Sequence, residues 1–436
     1  MPGVIYSRQI EFTAHGPVVL HVIAAPRPTG LYALKPILSN NAVLGRERVT
    51  SMEKRVSADA TVAGVNGDLF SFSDGHPTGG LIRGGILDTA PADERSTIGI
   101  DTDGLLHVER VSLDGTWQGS GQRRIVGINE PPRANHTTLY TRAWGARTPV
   151  ESGGAYAILE PFPATKPNTP LTATVAGFAP GGNQPIPADG AVLVARGSQA
   201  GFLPAEAPAG SKVTIVLTLT PPWANVPEAV GGGPMIVRDG KPVFRSFESF
   251  TPEQLVFRNS RSGVGQTADG RIVLVVADGH QPGYSAGLTN FELALTMMRL
   301  GCVTASALDS GSSATMAFDG KLLNRPSDRL GERAVAEALT LFYYGVYAPP
   351  LASKAVAPNA SLTVSYKLAR PSTVTATMNG PGGAIVPVDS GARAPGVYRL
   401  NWSAAGQPQG SWTFRVVADD DQGRHSVAER DFTLHG

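Results

Sequence analysis

Glycine and proline interrupt this chain so often that long regular helices are not expected over most of its length. The 436 residues include 51 Gly and 35 Pro, and both residue types favour turns over the interior of helices. Between these breaks lie short apolar or alternating segments such as Pro17–Ile23, Ala191–Ala195 and Val213–Leu219. Such segments predict short β-strands. The chain should therefore be rich in β-sheet.

The most regular segment, residues 271–308, predicts a strand, a helix and a second strand. Ile272–Ala277 and Val303–Leu308 are short apolar runs, and Thr289–Leu300 between them is expected to be helical. A threonine followed three residues later by glutamate, Thr289 and Glu292, is the signature of a capping box. Gly301 stands where a helix C-terminus favours a left-handed residue. We therefore expect a β-α-β unit.

Asp278 and Asp309 each follow one of these two strands. If the strands are parallel, both carboxylates end at the same edge of the sheet, where ligands of such sheets usually bind. Asp278-Gly279 precedes His280-Gln281-Pro282-Gly283 rather than a returning strand. The other Asp-Gly pairs, at Asp103, Asp239, Asp269 and Asp319, are interpreted as hairpin turns.

A chain of this length should hold one large domain and at least one smaller one, since domains average roughly 150 residues. We predict an α+β fold, with a large β-rich catalytic domain and a few helices in residues 1–348. The Pro- and Ala-rich stretch 349–358 has the composition of a linker. Residues 359–436 predict a small all-β sandwich of immunoglobulin-like type.

Bulk properties exclude several classes of function. The formal net charge is +1, which gives no global attraction for nucleic acid or for an anionic membrane. No apolar run is long enough to span a bilayer. The single cysteine, Cys302, excludes an intramolecular disulfide framework, and it is expected to be a small buried hydrophobe. Residues 1–6 lack the features of a secretory signal, as a chain trimmed of its signal also would.

The turn Asp309-Ser310-Gly311-Ser312-Ser313 is the first candidate site. Taken alone, it also resembles the catalytic turn of aspartic proteases, which require a second, facing copy. The other similar turn, at Asp389, lies inside the small C-terminal module, which disfavours that interpretation. A plain turn, in which Asp and Ser bind backbone amides, is the simpler alternative.

Two further groups of residues could carry chemistry. Arg258 and Arg261 precede a glycine-rich turn, and arginine suits phosphate or carboxylate oxygens, although a solvated surface pair is the alternative. Asn66 and Asp68 form a polar group between apolar residues, which by composition alone is merely a turn. The histidines show no zinc-binding spacing. No metal site is predicted, and no cofactor, with calcium as the one cation left open.

Several motifs taken together, in their order and spacing, resemble the phosphodiester glycosidase family over roughly residues 1–348. The motifs are Val65-Asn66-Gly67-Asp68-Leu69-Phe70, Gly231-Gly232-Gly233-Pro234, Arg261-Ser262-Gly263-Val264-Gly265, Asp269-Gly270-Arg271, Val276-Ala277-Asp278-Gly279 and Leu308-Asp309-Ser310-Gly311-Ser312-Ser313. One activity of that family removes N-acetylglucosamine from a phosphodiester on mannose. The family turn usually reads Leu-Asp-Gly-Gly-Gly-Ser, so Ser310 and Ser312 replace two glycines here.

The resemblance implies a glycoside hydrolase that acts on a sugar 1-phosphodiester or a related cell-envelope glycan. Such a bond breaks at the anomeric carbon through an oxocarbenium-like transition state, and the leaving phosphate monoester has a second pKa of about 6. The catalytic candidates are Asp309, Asp278 and, with a structural explanation equally available, Glu292. The substrate-binding candidates are Asn66, Asp68, Arg258, Arg261, Gly311, Ser313 and Arg333.

The alternative is a non-catalytic carbohydrate-binding protein on the same fold. Both hypotheses predict a carbohydrate or sugar-phosphate partner, no nucleic acid and no membrane span. Both also predict an extracellular or cell-envelope location. The sequence leaves the oligomeric state, the sugar and its anomeric configuration open.

Overall fold

A computed structural model describes residues 1–151, 153–243 and 246–435. Its α-helices are short, as the glycine and proline content predicts. They are Val49–Val56 (α1), Phe202–Glu206 (α2), Pro252–Val256 (α3) and Asn290–Arg299 (α4). A single 3₁₀ turn at Gly311–Ser313 matters for the candidate site.

The strands carry most of the described structure. In chain order they are Ile5–Thr13 (β1), Gly16–Ala25 (β2), Tyr32–Leu38 (β3), Thr61–Asn66 (β4), Leu81–Arg83 (β5), Ile86–Thr89 (β6), Ser96–Ile100 (β7), Leu106–Arg110 (β8), Ser112–Gln118 (β9), Gln122–Ile125 (β10), Gly127–Ile128 (β11), Thr137–Thr141 (β12), Ala155–Leu159 (β13), Pro170–Ala179 (β14), Ala191–Ala195 (β15), Lys212–Thr220 (β16), Glu228–Gly231 (β17), Met235–Arg238 (β18), Lys241–Pro242 (β19), Arg261–Thr267 (β20), Ile272–Ala277 (β21), Cys302–Ala307 (β22), Met316–Phe318 (β23), Lys321–Leu322 (β24), Glu337–Tyr343 (β25), Ala355–Val356 (β26), Ser361–Leu368 (β27), Ser372–Asn379 (β28), Ile385–Arg393 (β29), Gly396–Ser403 (β30), Gly410–Asp420 (β31) and His425–Leu434 (β32). The predicted β-rich α+β fold with few helices is confirmed.

Two sheets position the candidate site. The first has the strand order β1-β2-β21-β20-β22-β18-β19, and the second has the order β24-β23-β4-β25-β3. Their facing sides share one apolar core, to which the first sheet contributes Val264, Leu274 and Val276 and the second contributes Val65 and Leu339. Helix α4 covers the other side of the first sheet, where Leu293 and Met297 pack on its strands.

Residues 96–231 belong largely to two further sheets, with the strand orders β10-β9-β16-β14-β13-β15-β12-β11 and β6-β5-β17-β7-β8. A large apolar cluster fills this part of the chain, and Trp117, Leu193 and Ile215 lie fully inside it. Burying such side chains stabilises the fold by roughly 1.5 to 3 kcal/mol each. The site therefore rests on a broad, well-packed scaffold.

The expected strand-helix-strand segment is present, with one difference in topology. Strand β21 and the capping box of α4, in which Thr289 and Glu292 bond to each other's backbone amides, agree with the prediction. Gly301 has the expected left-handed φ of 88°. However, β20 lies between β21 and β22 and is antiparallel to both. The two outer strands therefore run in the same direction without pairing with each other.

The four Asp-Gly pairs predicted as hairpin turns do connect paired strands. Asp239 and Asp319 both have positive φ, as do the glycines that follow them, which is the geometry of a two-residue hairpin loop. They join β18 to β19 and β23 to β24. Cys302 is buried, as expected, and burial raises the pKa of its thiol to about 12.

The C-terminal residues form two sheets, β26-β32-β31-β28-β29 and β27-β30. These enclose a separate apolar cluster that includes Tyr366, Trp412 and Phe414 and begins as early as Val346. The immunoglobulin-like type of this module stays a prediction, as do the domain boundaries. Among the described residues, no helix is long and apolar enough to cross a membrane.

Candidate functional site

The candidate site lies where the ends of the two core sheets meet. Asp278 follows β21 and Asp309 follows β22, at the edge where β20 begins with Arg261. Because β21 and β22 run in the same direction, the two carboxylates leave the sheet at the same edge, as expected. Beyond Leu308 the chain turns toward the second sheet, and the amide of Asp309 donates to the carbonyl of Gly67 at 3.0 Å.

Asp309 is held from both sides and its carboxyl group is removed from solvent. The side-chain amide of Asn66 donates to the backbone carbonyl of Asp309 at 2.9 Å. The backbone amide of Ser310 donates to Oδ1 of the Asp309 carboxyl at 2.8 Å. The pKa of Asp309 is raised to about 6, because burial and, to a smaller extent, the charge of Asp68 outweigh the hydrogen bonds from Ser313 and Ser310 and the charge of Arg333. This carboxyl therefore changes charge near neutral pH.

The turn after Asp309 requires one glycine only. Gly311 has a φ of 66°, in the left-handed region, and its amide donates to the carbonyl of Ser260 at 2.9 Å. Ser310 has an extended backbone, with φ −122° and ψ −174°, a conformation that any residue adopts. Ser312 is not among the residues with positive φ. The two serines that replace family glycines therefore cause no backbone strain here.

Asp68 is paired with an arginine that sequence reasoning missed. Arg95 donates to both carboxylate oxygens of Asp68, at 3.0 and 3.2 Å, and to the hydroxyl of Thr78 at 2.9 Å. Both members of the pair are buried. Burial raises the pKa of Asp68, against the lowering effect of Arg95. Arg95 lies in a short charged segment that looks like an exposed loop, so nothing local indicates its role.

Glu337 is the second residue that sequence reasoning missed. Its Oε1 accepts from the amide of Asp68 at 3.2 Å, and its Oε2 is buried without a partner in the described residues. A Cβ at Gly67 would lie 2.5 Å from Cγ of Glu337, so the glycine lets the two segments approach. Burial, with the charge of Asp68, raises the pKa of Glu337 to about 8. One carboxylate heading the otherwise largely apolar strand β25 is a signal that could have found it.

Arg261 is a buried cation, and each of its three side-chain nitrogens donates to a backbone carbonyl. It donates to Leu288 at 3.0 Å, and to Gln254 and Phe257 at 2.7 Å. It is 2% exposed, and burial lowers its pKa to about 10. Over the ranges that the structure describes, no carboxylate pairs with it. The arginine therefore contributes an uncompensated positive charge.

Asp68, Arg261, Asp309 and Ser310 line one pocket, together with Gly233, Pro234 and Asn290. The pocket leaves about 10 Å³ free, which is room for about one water molecule. Its chemistry is that of two carboxyl groups and a cation facing a small space. A sugar would therefore enter only after the walls move apart.

Arg258 and Glu292 bind each other. They form a salt bridge, and Arg258 also donates to the carbonyl of Gly287 at 3.0 Å. Glu292 caps α4 by accepting from the amide of Thr289 at 2.8 Å. Burial tends to raise the pKa of Glu292, but the hydrogen bonds from Thr289 and Arg258 leave it below its usual value. The structural explanation for Glu292 is thus present, and a catalytic role stays an untested prediction.

Asp278 is fully buried and fully engaged. Oδ2 accepts from Tyr284 at 3.0 Å and lies 3.2 Å from Nε2 of His21. Oδ1 accepts from the side chain of Asn324 at 3.0 Å and from the amide of Arg325 at 3.1 Å. Asp278 does not line the pocket of Asp309. The structure brings the two carboxylates to one edge but not into one pocket.

The remaining predicted residues surround Asp309. The Asn66 side-chain oxygen accepts from the hydroxyl of Ser262 at 2.6 Å and from the amide of Thr315 at 3.1 Å, so this amide is occupied by the protein itself. Ser313 is buried and bonds to the Asp309 carboxyl. Arg333 bonds to Asp328 at 3.1 Å and lies 5.7 Å from the ring centroid of Phe72. Direct contact of any of them with a sugar stays a prediction.

No group of three or more His, Cys, Asp or Glu side chains suited to a metal ion occurs among the described residues. The prediction of no metal and no cofactor is not tested by this observation. Binding of calcium is likewise not tested by it.

Comparisons with known proteins agree with this picture. A curated relative, an uncharacterised SPbeta prophage-derived protein of Bacillus subtilis named YomE, is 35% identical over 111 residues, which are 26% of this chain and 17% of that protein. A hypothetical protein from Synechocystis has a similar structure, with a TM-score of 0.65 and 23% identity, covering 78% of this chain and 62% of that chain. The chain thus spans less than two thirds of either relative's length.

A putative exported protein from Burkholderia pseudomallei is similar in structure as well, with a TM-score of 0.60 and 23% identity over 75% of this chain and 74% of that one. At these identities the two structures show a shared fold alone. Residues 168–342 match the family model described as phosphodiester glycosidase. This region contains Arg261, Asp278 and Asp309, whereas Asn66 and Asp68 precede it. The resemblance to the phosphodiester glycosidase family is therefore confirmed over residues 168–342.

Proposed function

We propose that this protein is a hydrolase that cleaves the glycosidic bond of a sugar 1-phosphodiester or a related cell-envelope glycan. The observation that carries the proposal is the pocket in which Asp309, Asp68 and the unpaired cation Arg261 meet. The family match over residues 168–342 supports the glycosidase class. The nature of the sugar follows from neither observation.

The charges of the pocket suit this reaction. When the bond between the anomeric carbon and oxygen breaks, its electrons stay with the departing phosphate monoester, which gains negative charge. Such a leaving group, with a second pKa of about 6, needs little protonation. It needs a nearby cation instead, and the guanidinium of Arg261, already desolvated and without a carboxylate partner among the described residues, supplies one.

The anomeric carbon gains positive charge in the same step and needs a carboxylate beside it. Asp309 fits this part because its carboxyl is held in place by Ser310 and Ser313 and faces the pocket. Ionised Asp309 stabilises the oxocarbenium character and either attacks the carbon or takes the proton of the attacking water. Asp68, bound by both arms of Arg95, stays in place as the second carboxylate.

The test is release of free sugar from a panel of synthetic sugar 1-phosphodiesters. Asp309→Asn should reduce the rate by about 10²- to 10⁴-fold, the usual contribution of a catalytic acid or base. Asp103→Asn, the same change in an Asp-Gly hairpin turn, is the matched control and should leave the rate unchanged. A wild-type protein that releases no sugar from any diester or glycoside of the panel would count against the proposal.

One second candidate is a carbohydrate-binding protein without turnover. It is favoured by Asp278, a predicted catalytic carboxylate whose two oxygens are engaged by the protein itself and which does not line the pocket. Saturable binding of a sugar by wild type, without any hydrolysis and unchanged by Asp309→Asn, would support this candidate over the hydrolase.

An extracellular or cell-envelope location belongs to the same proposal. Its support is the fold shared with the Burkholderia protein, which is described as a putative exported protein. Cell fractionation with an antibody against the C-terminal module would test it, and recovery in the cytoplasmic fraction would contradict it.

A further inference from the structure

A second cavity, distinct from the pocket of Asp309, lies beside the buried Asp68–Arg95 pair. It measures about 410 Å³ and is lined by the segments 76–78, 89–90 and 130–133. This volume is in the range of small-ligand sites, about 300 to 1,000 Å³. Thr78 belongs to its wall, and the hydroxyl of Thr78 accepts from Arg95 at 2.9 Å. Thr78 therefore connects the wall of the cavity to the Asp68–Arg95 ion pair of the candidate site.

His76 presents one ring nitrogen in a defined state. Its Nδ1 lies 2.6 Å from Oδ1 of Asp74, which also accepts from the His76 amide at 3.3 Å. Burial tends to raise the pKa of Asp74, but the hydrogen bonds from His76 and Ser71 leave it below its usual value. An ionised carboxylate at Nδ1 favours the tautomer with the proton there. In that tautomer Nε2 is an acceptor, and it has no partner in the described parts of the chain.

Glu130 and Arg133 supply charged groups on the other wall. The guanidinium of Arg133 lies 3.4 Å from the Glu130 carboxylate, and the Arg133 side chain is 64% exposed to solvent. Oε1 of Glu130 is buried against Gly127, where a Cβ would lie 2.1 Å from it. The close approach of Gly127 thus restricts the movement of the Glu130 carboxyl group. The cavity offers a ring nitrogen from His76, the carboxyl group of Glu130 and the guanidinium of Arg133, whereas the hydroxyl of Thr78 already donates to the Leu69 carbonyl at 3.0 Å and accepts from Arg95.

Both walls are anchored before any ligand arrives. The hydroxyl of Tyr140 donates to the Glu130 carbonyl at 2.6 Å, and Asn129, fully buried, bonds to Asp88 and Thr141 at 2.8 and 2.9 Å. On the other side, the Thr78 amide donates to the Leu69 carbonyl at 2.9 Å. Pre-organised walls reduce the entropy that a ligand must lose on binding.

We infer, resting on the proposed action on a sugar, that this cavity is a sugar-binding subsite in which His76, Glu130 and Arg133 bind the hydroxyl groups of a neutral sugar ring. Mixed donors and acceptors suit a ligand whose hydroxyls both donate and accept. The apolar surfaces of Pro77, Pro131 and Pro132 complete the lining and suit the C–H faces of the ring. Burial raises the pKa of Glu130, against the charges of Arg133 and His76, and in its ionised form this carboxyl would repel a plain anion.

The histidine–aspartate pair of His425 and Asp419 lacks this setting and serves as a control. His425 lies 2.8 Å from Asp419, but both side chains are about 60% exposed on the C-terminal module, against 15% for His76. The pair has the same chemistry without a cavity. His425→Ala therefore removes an equivalent imidazole from a place where no sugar should bind.

The experiment is a titration of wild type with cellobiose, and separately with inorganic phosphate, observed through the ¹³C–¹H signals of the histidine rings. We expect saturable shifts at His76 with cellobiose and none with phosphate. His76→Ala and Glu130→Gln should each weaken binding by about tenfold, the effect of losing one good hydrogen bond of about 1.4 kcal/mol. His425→Ala should leave it unchanged.

Asp74→Asn keeps the imidazole but loosens its orientation, and it should weaken binding less than His76→Ala does. It also guards against a folding defect in the alanine variant, together with thermal melting of each variant. No saturable shift with cellobiose, binding that survives His76→Ala, or a response to phosphate instead would each overturn the inference. The readout needs no hydrolysis, so failure of the proposed activity would leave this result interpretable.

Discussion

Asp278 and Asp309 occupy equivalent places in one sheet, each directly after a strand that runs in the same direction, and their surroundings differ in kind. Asp278 is fully buried, and its two oxygens meet Tyr284, His21, Asn324 and the amide of Arg325. Asp309 is partly exposed as a residue, but its carboxyl group is buried, has a raised pKa and lines a pocket with Asp68 and Arg261. The comparison teaches that topology delivers a carboxylate to an edge, while its hydrogen-bond partners decide whether it is available for chemistry.

The largest expected effect separates the two carboxylates by stability. Asp278→Asn places a side-chain amide N–H against groups that donate to Asp278, such as Tyr284 and Asn324. Losing one partner of a buried charged network lowers the free energy of unfolding by about 3 to 5 kcal/mol. Asp309→Asn removes a charge that burial disfavours, so the free energy of unfolding at pH 8 should be unchanged or higher. Urea denaturation of both variants measures the difference. Equal destabilisation by the two changes would break the comparison.

The second effect concerns the rate and its dependence on pH. Ionised Asp309 is required beside the anomeric carbon, and its pKa is raised to about 6. As pH falls below 6, the ionised fraction drops tenfold per unit, so kcat/KM should be about a hundredfold lower at pH 4 than at pH 7. A rate that rises toward pH 4 would instead mean that Asp309 works in its protonated form.

The smallest expected effect concerns Glu337, whose carboxyl accepts a hydrogen bond from the backbone amide of Asp68. Its pKa is about 8 in the fold and 4.5 in the ordinary state, so the fold favours the protonated form. The stability that this provides is present below pH 4.5 and is lost as pH rises through 8. Glu337→Gln keeps an oxygen for the Asp68 amide and should flatten this decline.

At pH 9 the Glu337→Gln protein should be more stable than wild type by about 1 to 3 kcal/mol, the range for a buried polar group without partners. Thermal melts at pH 5, 7 and 9 compare the two proteins, with Asp103→Asn as the control. An identical pH dependence in wild type and Glu337→Gln would contradict the assignment of this carboxyl.

Local features of the sequence were predictable because a few neighbouring residues decide them. The capping box of Thr289 and Glu292, the left-handed Gly301 and the four Asp-Gly hairpins needed no knowledge of distant contacts. The placement of β20 between β21 and β22 was not predictable, because strand pairing depends on the whole sheet. The expected β-α-β unit is therefore present with an extra strand inside it.

The candidate site shows the same division. Asp309, Asp68 and Arg261 were recognisable from motifs, yet their meeting in one pocket depends on two sheets ending at the same place. Arg95 and Glu337 were missed because neither carries a local signal of its partner. Glu337 contacts Asp68 across 269 residues of sequence.

By itself, the sequence determined that the chain would be built of short strands, where its turns and helix caps would lie, and which motifs would supply carboxylates and arginines. Only the tertiary structure decided which of these charges are satisfied. The physical reason is that the cost of a buried charge depends on the dielectric surroundings and on donors from other segments. Those surroundings exist only after residues such as Gly67, Glu337 and Asp309 have been brought together from opposite parts of the chain.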